Sequence, residues 1–215
     1  MAGTKRGRLF VIAAPSGAGK TSLVRALMER EPGLRFSISY TTRRQRPAEV
    51  HGRDYFFVDA AEFRRMADAG ELLEHAEVFD NHDGTSRRQV EASLAAGQDL
   101  VLEIDWQGAR QVRATLPEAV SIFILPPSRA ELERRLRGRG TDAEDVIRRR
   151  LRDAAADMGH WTEFDYVVVN DEFARALADL ASIVHGQGHA SRRDRPGLAG
   201  LAAELSGQAA RQESG

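Results

Sequence analysis

The sequence contains no cysteine. A disulfide scaffold, a thiolate zinc centre and a cysteine nucleophile are therefore excluded, and nothing in the composition argues for secretion. Lysine is almost as scarce: of 31 basic residues only Lys5 and Lys20 are lysine, the rest arginine. Neither charge sign is in excess, since 31 basic residues face 32 acidic ones for a net charge of −1. That balance argues against a broadly cationic binder of nucleic acid or membrane surface and leaves room for local basic sites. A long hydrophobic run is missing too. The apolar stretch Leu9-Phe10-Val11-Ile12-Ala13-Ala14 follows a short charged segment and is too brief for a signal peptide or a membrane span, so a soluble cytoplasmic protein is the expectation.

What is present is a chain of 215 residues, long enough for one or two domains with a sizeable core. Leu9 to Ala14 reads as a strand buried on both faces, and strand candidates return at Asp99 to Asp105, Val120 to Leu125 and Tyr166 to Asn170. Between them lie helical patterns at Thr21 to Met28, Arg87 to Ala96 with a capping box from Ser86 and Gln89, Gly108 to Leu116, and Asp171 to Val184. Alternating strands and helices predict a mostly parallel sheet with helices on both faces. Two stretches interrupt the alternation. Phe36 to Asp83 carries short aromatic and β-branched pieces around a helix at Ala60 to Ala69, which predicts a β-rich insertion. Ser128 to Met158 is highly charged, with capping boxes at Ser128/Glu131 and Thr141/Glu144 around Gly138-Arg139-Gly140, which predicts a projecting two-helix lid. From Gly186 the composition is rich in Gly, Ala, Ser and Arg and predicts a flexible tail with at most a weak helix near Leu198 to Leu205.

Ala14-Pro15-Ser16-Gly17-Ala18-Gly19-Lys20-Thr21 ends as a phosphate-binding loop ends, although its first residue is Ala where the usual pattern asks for Gly. Gly17 and Gly19 permit the turn that points successive N–H groups at phosphate oxygens, and the following helix adds its positive end. Lys20 is placed to reach β and γ phosphates, Thr21 to offer its hydroxyl to Mg²⁺. The competing reading is an ordinary Gly-rich turn, which the flanking strand and helix disfavour. Further on, Ser39-Tyr40-Thr41-Thr42-Arg43-Arg44-Gln45-Arg46-Pro47-Ala48-Glu49 gathers hydroxyls and arginines ahead of His51-Gly52-Arg53-Asp54-Tyr55. Guanidinium forks and hydroxyls suit a dianionic phosphate; the alternative is a solvated basic surface.

With these motifs, and with Glu71 to Glu77, Gly84-Thr85-Ser86, Glu103-Ile104-Asp105-Trp106-Gln107-Gly108, Ile122 to Ser128, Arg134 to Gly140 and Val169-Asn170-Asp171 following in order, the chain resembles a guanylate kinase of the bacterial type. The resemblance implies an α/β, P-loop nucleoside monophosphate kinase fold: a central parallel sheet with helices on both faces, a β-rich GMP-binding insertion and a helical lid. Its implied boundaries are core at 1–36, insertion at 37–86, core at 87–126, lid at 127–159, core at 160–185 and a tail at 186–215. It further implies transfer of the γ-phosphoryl group of ATP to GMP, with Mg²⁺ as cofactor, no nucleic acid or membrane partner, and an oligomeric state left open.

By the same resemblance Ala14 to Thr21 and Asn170 bind ATP. Ser39, Arg43, Arg46 and Tyr55 hold the GMP phosphate, and Glu74, Thr85 and Asp105 read the base. Arg135, Arg139 and Arg150 join Lys20 and Arg43 as the cations that stabilise the transferring group. Three positions depart from the family pattern: Gln45 and Ala48 stand where Pro and Gly are common, and Asp83 stands where Tyr usually helps bind the GMP phosphate. An ionised aspartate there predicts weaker GMP binding than in relatives with Tyr, unless Arg87 or a neighbour neutralises it. Two other readings stay open: a kinase of the same architecture with another acceptor, such as a ribose bisphosphate, and a non-catalytic scaffold module that binds phosphorylated protein segments. The trio Glu74, Thr85 and Asp105 argues against the first, and the intact phosphate loop and lid arginines against the second. The arginine excess itself reads as codon bias, against which a lysine retained inside the phosphate loop marks a place where a compact charge on a flexible stem is needed.

Overall fold

The computed structural model describes residues 5–78, 81–138 and 143–206. The chain forms two compact units, Met1–Val11 with Pro32–Val120 and Ile12–Glu31 with Ser121–Gly215. One five-stranded sheet has the order β2 (Leu34–Phe36), β7 (Asp99–Glu103), β1 (Leu9–Ala13), β8 (Val120–Leu125), β9 (Tyr166–Val169), and a second sheet has the order β4 (Phe56–Phe57), β3 (Tyr40–Thr41), β6 (Asn81–Ser86), β5 (Leu72–Val78). Strand β1 (Leu9–Ala13) has all five side chains buried, as its unbroken apolar sequence requires. No described helix is long and apolar enough to cross a membrane.

In the first unit, β2 (Leu34–Phe36) runs parallel to β7 (Asp99–Glu103), with Leu34 opposite Asp99 and Phe36 opposite Val101. The chain then leaves this sheet to build the four-stranded insertion from β3 (Tyr40–Thr41), β4 (Phe56–Phe57), β5 (Leu72–Val78) and β6 (Asn81–Ser86). Helix α2 (Ala60–Asp68) is opened by Asp59, whose carboxylate accepts the Glu62 N–H at 2.8 Å. Its Phe63 and Met66 join Leu72 in a small core against which Tyr40, Val58 and Ala67 pack. The hairpin β5–β6 was not legible as strands in the sequence. Leu72 and Leu73 are both buried, the register shifts between Leu72 and Glu74, and β6 reads Asn-His-Asp-Gly-Thr-Ser, so neither strand shows clean alternation. Helix α3 (Arg87–Ala95) begins where expected, the Ser86 hydroxyl accepting the Gln89 N–H at 3.3 Å. Helix α4 (Trp106–Thr115) follows β7 and is capped by Asp105.

In the second unit, helix α1 (Lys20–Arg30) follows the glycine-rich turn and packs on α7 (Phe173–Val184). Strands β8 (Val120–Leu125) and β9 (Tyr166–Val169) pair in parallel, Ile122 opposite Tyr166 and Leu125 opposite Val169. Helices α5 (Arg129–Arg137) and α6 (Glu144–Met158) form the charged segment between them. Ser128 caps α5 as expected, accepting the Glu131 N–H at 3.1 Å. Helix α6 starts with Ala143 at its N-cap and no side-chain cap, and Thr141 of the second expected capping box lies outside the described residues.

The segment after α7 departs from the composition-based expectation of a flexible tail. Gly186, at φ 74°, lets the chain turn, with Gly186 N–H donating to the Ile183 carbonyl and Gln187 N–H to that of Ser182. Arg192 then forms an antiparallel bridge with Tyr166, and helix α8 (Leu198–Ser206) packs on α6 with Leu198, Ala202 and Leu205 buried. The i, i+4, i+7 spacing of those three residues outweighs the low hydrophobicity of the surrounding Gly and Ala. Residues 207–215 lie outside the described chain.

Candidate active site

The glycine-rich turn belongs to the second unit. Gly17 and Gly19 have φ of 88° and 93°, a left-handed backbone that side chains with a Cβ rarely adopt. Gly19 is the N-cap of α1 and supplies no side-chain cap, and the first turn of α1 holds no acid. The helix therefore opens with backbone N–H groups and its positive end available to an anion. Lys20 and Thr21 are its first two residues, Lys20 half-buried and Thr21 exposed.

Two side chains brace this turn from behind. Buried Asn170, directly after β9, donates from Nδ2 to the Ala18 carbonyl at 2.8 Å, and a Cβ on Gly19 would collide with that same amide. Arg135, on α5, donates to the Ala18 carbonyl at 3.2 Å and to the Asn170 carbonyl at 2.9 Å, while Glu131 takes its Nε at 2.7 Å. Glu131 also binds Arg134, and the two guanidinium groups hold its carboxyl down at about 2. Arg150 is half-buried on α6, and Arg139 lies outside the described residues.

The remaining predicted residues stand in the first unit. Glu74 and Thr85 pair across β5 and β6, and the Thr85 hydroxyl donates to Glu74 Oε1 at 2.6 Å with both residues buried. Asp105 accepts the Gly108 N–H at 2.7 Å, so its carboxylate is fixed at the start of α4. A Cβ on Gly108 would sit 2.5 Å from Glu74 Oε2 and 3.3 Å from Asp105 Oδ1. Gly108 is thus the residue that lets the two carboxylates and the hydroxyl of Thr85 gather in one place.

Beside them, Arg43 lies over the rings of Tyr55 and Phe57, 5.2 and 5.7 Å from their centroids. Glu49 grips its guanidinium at both ends, at 2.9 and 2.8 Å, and also accepts the Arg46 N–H at 2.8 Å. These bonds hold the Glu49 carboxyl at about 2. Burial raises the Tyr55 phenol above its ordinary value, aided by Asp83 and Glu103, so it stays a proton donor at neutral pH. Ser39 is half-buried just before β3, its carbonyl accepting the Phe56 N–H at 2.9 Å, and Arg46 is exposed. Asp83 faces Thr41 across β3 and β6. Its charged neighbour is Arg43; Arg87 is instead turned to the Gly70 and Leu72 carbonyls.

The family model described as guanylate kinase matches residues 6–187. The chain belongs to the guanylate kinase family. It is 58% identical over 182 residues to a guanylate kinase of Chromohalobacter salexigens, covering 85% of each chain, and 55% identical over 202 residues to one of Methylococcus capsulatus, covering 94% of this chain and 99% of that one. A crystal structure of guanylate kinase from Anaplasma phagocytophilum superposes with a TM-score of 0.70 at 33% identity, over 93% of this chain and 95% of the other.

Within this guanylate kinase frame the sequence anticipated which residues gather, and overlooked what holds them. Glu49 was visible only as part of a loop pattern, although its place three residues after Arg46 is the spacing of a turn that closes on its own backbone. Glu131 read as a cap residue, and its i, i+4 spacing to Arg135 was the available signal for its second partner. Thr41 and Gly108 lay inside motifs that the sequence showed, but their individual roles carried no signal, because each acts through a strand or helix distant in sequence.

Proposed function

We propose that this chain is a cytoplasmic ATP:GMP phosphotransferase of purine nucleotide metabolism, which moves the γ-phosphoryl group of ATP to GMP and yields ADP and GDP. The observation that carries the choice of acceptor is the buried pair Glu74–Thr85 next to Asp105. Guanine offers a ring N–H and an amino group to a carboxylate and a carbonyl to a hydroxyl donor, whereas adenine has no donor at that ring nitrogen. A buried carboxylate left without those donors disfavours the wrong base by orders of magnitude.

The donor nucleotide is assigned to residues 14–21. The positive φ of Gly17 and Gly19, the uncapped start of α1 and the brace from Asn170 and Arg135 fit a triphosphate chain lying against backbone N–H groups. Lys20 places a mobile charge at the β and γ phosphates. Thr21, the second residue of α1, would hold Mg²⁺ through its hydroxyl, and the ion bound with ATP would offset charge on the phosphate oxygens. Ser39, Arg43, Arg46 and Tyr55 are assigned to the GMP phosphate. Arg135, Arg139 and Arg150 are assigned to the charge that develops on the transferring group. No side chain acts as base, because the attacking group is already a phosphate oxygen and positioning supplies most of the rate. ADP release measured by a coupled assay with GMP, AMP, CMP and UMP tests the reading. Turnover with GMP alone is expected, and no turnover with GMP at millimolar concentration would overturn it.

A further inference from the structure

The acceptor side sets the carboxylates of Glu49 and Asp83 against the guanidinium groups of Arg43 and Arg46. Glu49 already occupies both ends of Arg43, and Asp83 lies within the electrostatic reach of the same cation. Asp83 is also tied to Arg43 through Thr41, whose hydroxyl donates to the Asp83 carboxylate and accepts the Arg43 backbone N–H at 3.2 Å. The other charged or titratable groups facing Asp83 are Asp105 at the start of α4, His82 on its own strand and Tyr55 before β4. From β5 the residue opposite is uncharged Ala76, and Tyr55 in turn feels Glu103 and Glu49. A phosphate dianion arriving at Arg43 therefore adds its charge beside the carboxylates of Glu49 and Asp83, which favours protonation of the one that holds its charge less firmly.

The two candidates differ in how firmly they keep their charge. Glu49 is pinned as a carboxylate by Arg43 and the Arg46 N–H, at about 2. Asp83 is pushed the other way, upward, chiefly by burial, so an added negative charge protonates it first.

We propose that Asp83 takes up a proton from solvent when a nucleoside monophosphate docks its phosphate on Arg43, changing from a carboxylate that repels the acceptor to a carboxylic acid with an O–H to donate. The proposal rests on the reading of Arg43 as the acceptor-phosphate anchor. It makes Asp83 a determinant of acceptor affinity, with binding weakening as pH rises, by up to about tenfold per pH unit between the values for the free and loaded site.

The test is calorimetric titration of GMP into the full chain, and into Asp83→Asn and Asp83→Ser, in two buffers of different ionisation enthalpy from pH 6 to 8.5, with guanosine as the ligand lacking phosphate. GMP's own second ionisation contributes equally to all three proteins, so the difference in proton count isolates Asp83. Expected is greater proton uptake by the unmodified chain than by either variant with GMP, no such difference with guanosine, and a GMP KM that falls about tenfold in Asp83→Asn at pH 8 while the ATP KM is unchanged. Equal proton counts together with parallel KM profiles overturn the proposal and leave the acceptor reading standing. Failure of all three proteins to bind GMP overturns the acceptor reading and the proposal with it.

Discussion

Lys20 shows how a residue's identity, beyond its charge, follows from the backbone that carries it. Gly19 reaches φ 93° against the Asn170 amide, and Lys20 follows as the first residue of α1. An ammonium on a flexible stem can settle between phosphate oxygens, whereas a planar fork requires width and two parallel acceptors. Lys20→Arg keeps the charge and is expected to lower kcat by about 100-fold or more while the melting temperature stays within about 2 °C, as befits a site change without loss of core. Coupled kinetics and a thermal melt check this, and near-normal kcat would contradict it. The place of Lys20 at the start of α1 was legible in the sequence, since a lysine kept in an arginine-rich chain, directly after the glycine-rich turn, stands out. The hold of Glu49 on Arg43 was not, because it depends on how residues 43–49 turn back on themselves.

At the scale of elements, legibility followed the source of each element's stability. Strands β1, β7 and β8 announce themselves because their own apolar sequence is what they bury. The hairpin β5–β6 stayed hidden because Asn81, Asp83 and Gly84 are poor strand formers held by pairing with β5 and β3. That hairpin carries Glu74 and Thr85, two of the seven residues proposed for the acceptor, together with Asp83, so the part of the fold hardest to read bears on the proposed acceptor site. Helix α8 was expected only as a weak helix in a flexible tail, for a related reason: its composition resembles a linker, and its packing on α6 and the 3₁₀ turn Gly159–Glu163 makes it a structural element. Leu205 is 1% exposed on that helix. Leu205→Ala should lower the unfolding free energy by about 2–4 kcal/mol, read as a lower urea midpoint at unchanged slope. A surface tail would give no change, and that result would remove α8 from the cooperative fold.

For the whole molecule, the pairing of carboxylates with arginines sets how stability falls in acid. Arginine stays charged under all accessible conditions, so each of its acidic partners alone decides whether the pair survives acid. Arg43 with Glu49 and Arg134 and Arg135 with Glu131 hold those carboxyls at about 2, and Arg65 lowers Glu62 and Glu71 while Arg137 lowers Glu144. A carboxyl depressed in the folded state stabilises it fully above its unfolded value, near 4.3, and that contribution is lost as pH falls toward the folded value. Asp83 alone among the shifted carboxyls is raised, and its contribution runs the other way, its destabilisation being relieved by acid. With Asp54, lowered by the Val50 N–H and Arg53, six depressed carboxyls among the described residues outweigh one raised one. The melting temperature should therefore drop steeply between about pH 4.5 and pH 2, and because most of these pairs are exposed, about 0.5 M salt should flatten that drop. Circular dichroism melts at pH 7, 4.5, 3 and 2, with and without salt, measure it. A melting temperature that holds steady down to pH 2.5 would mean that the arginine pairs add nothing to the fold and that the composition reflects coding alone.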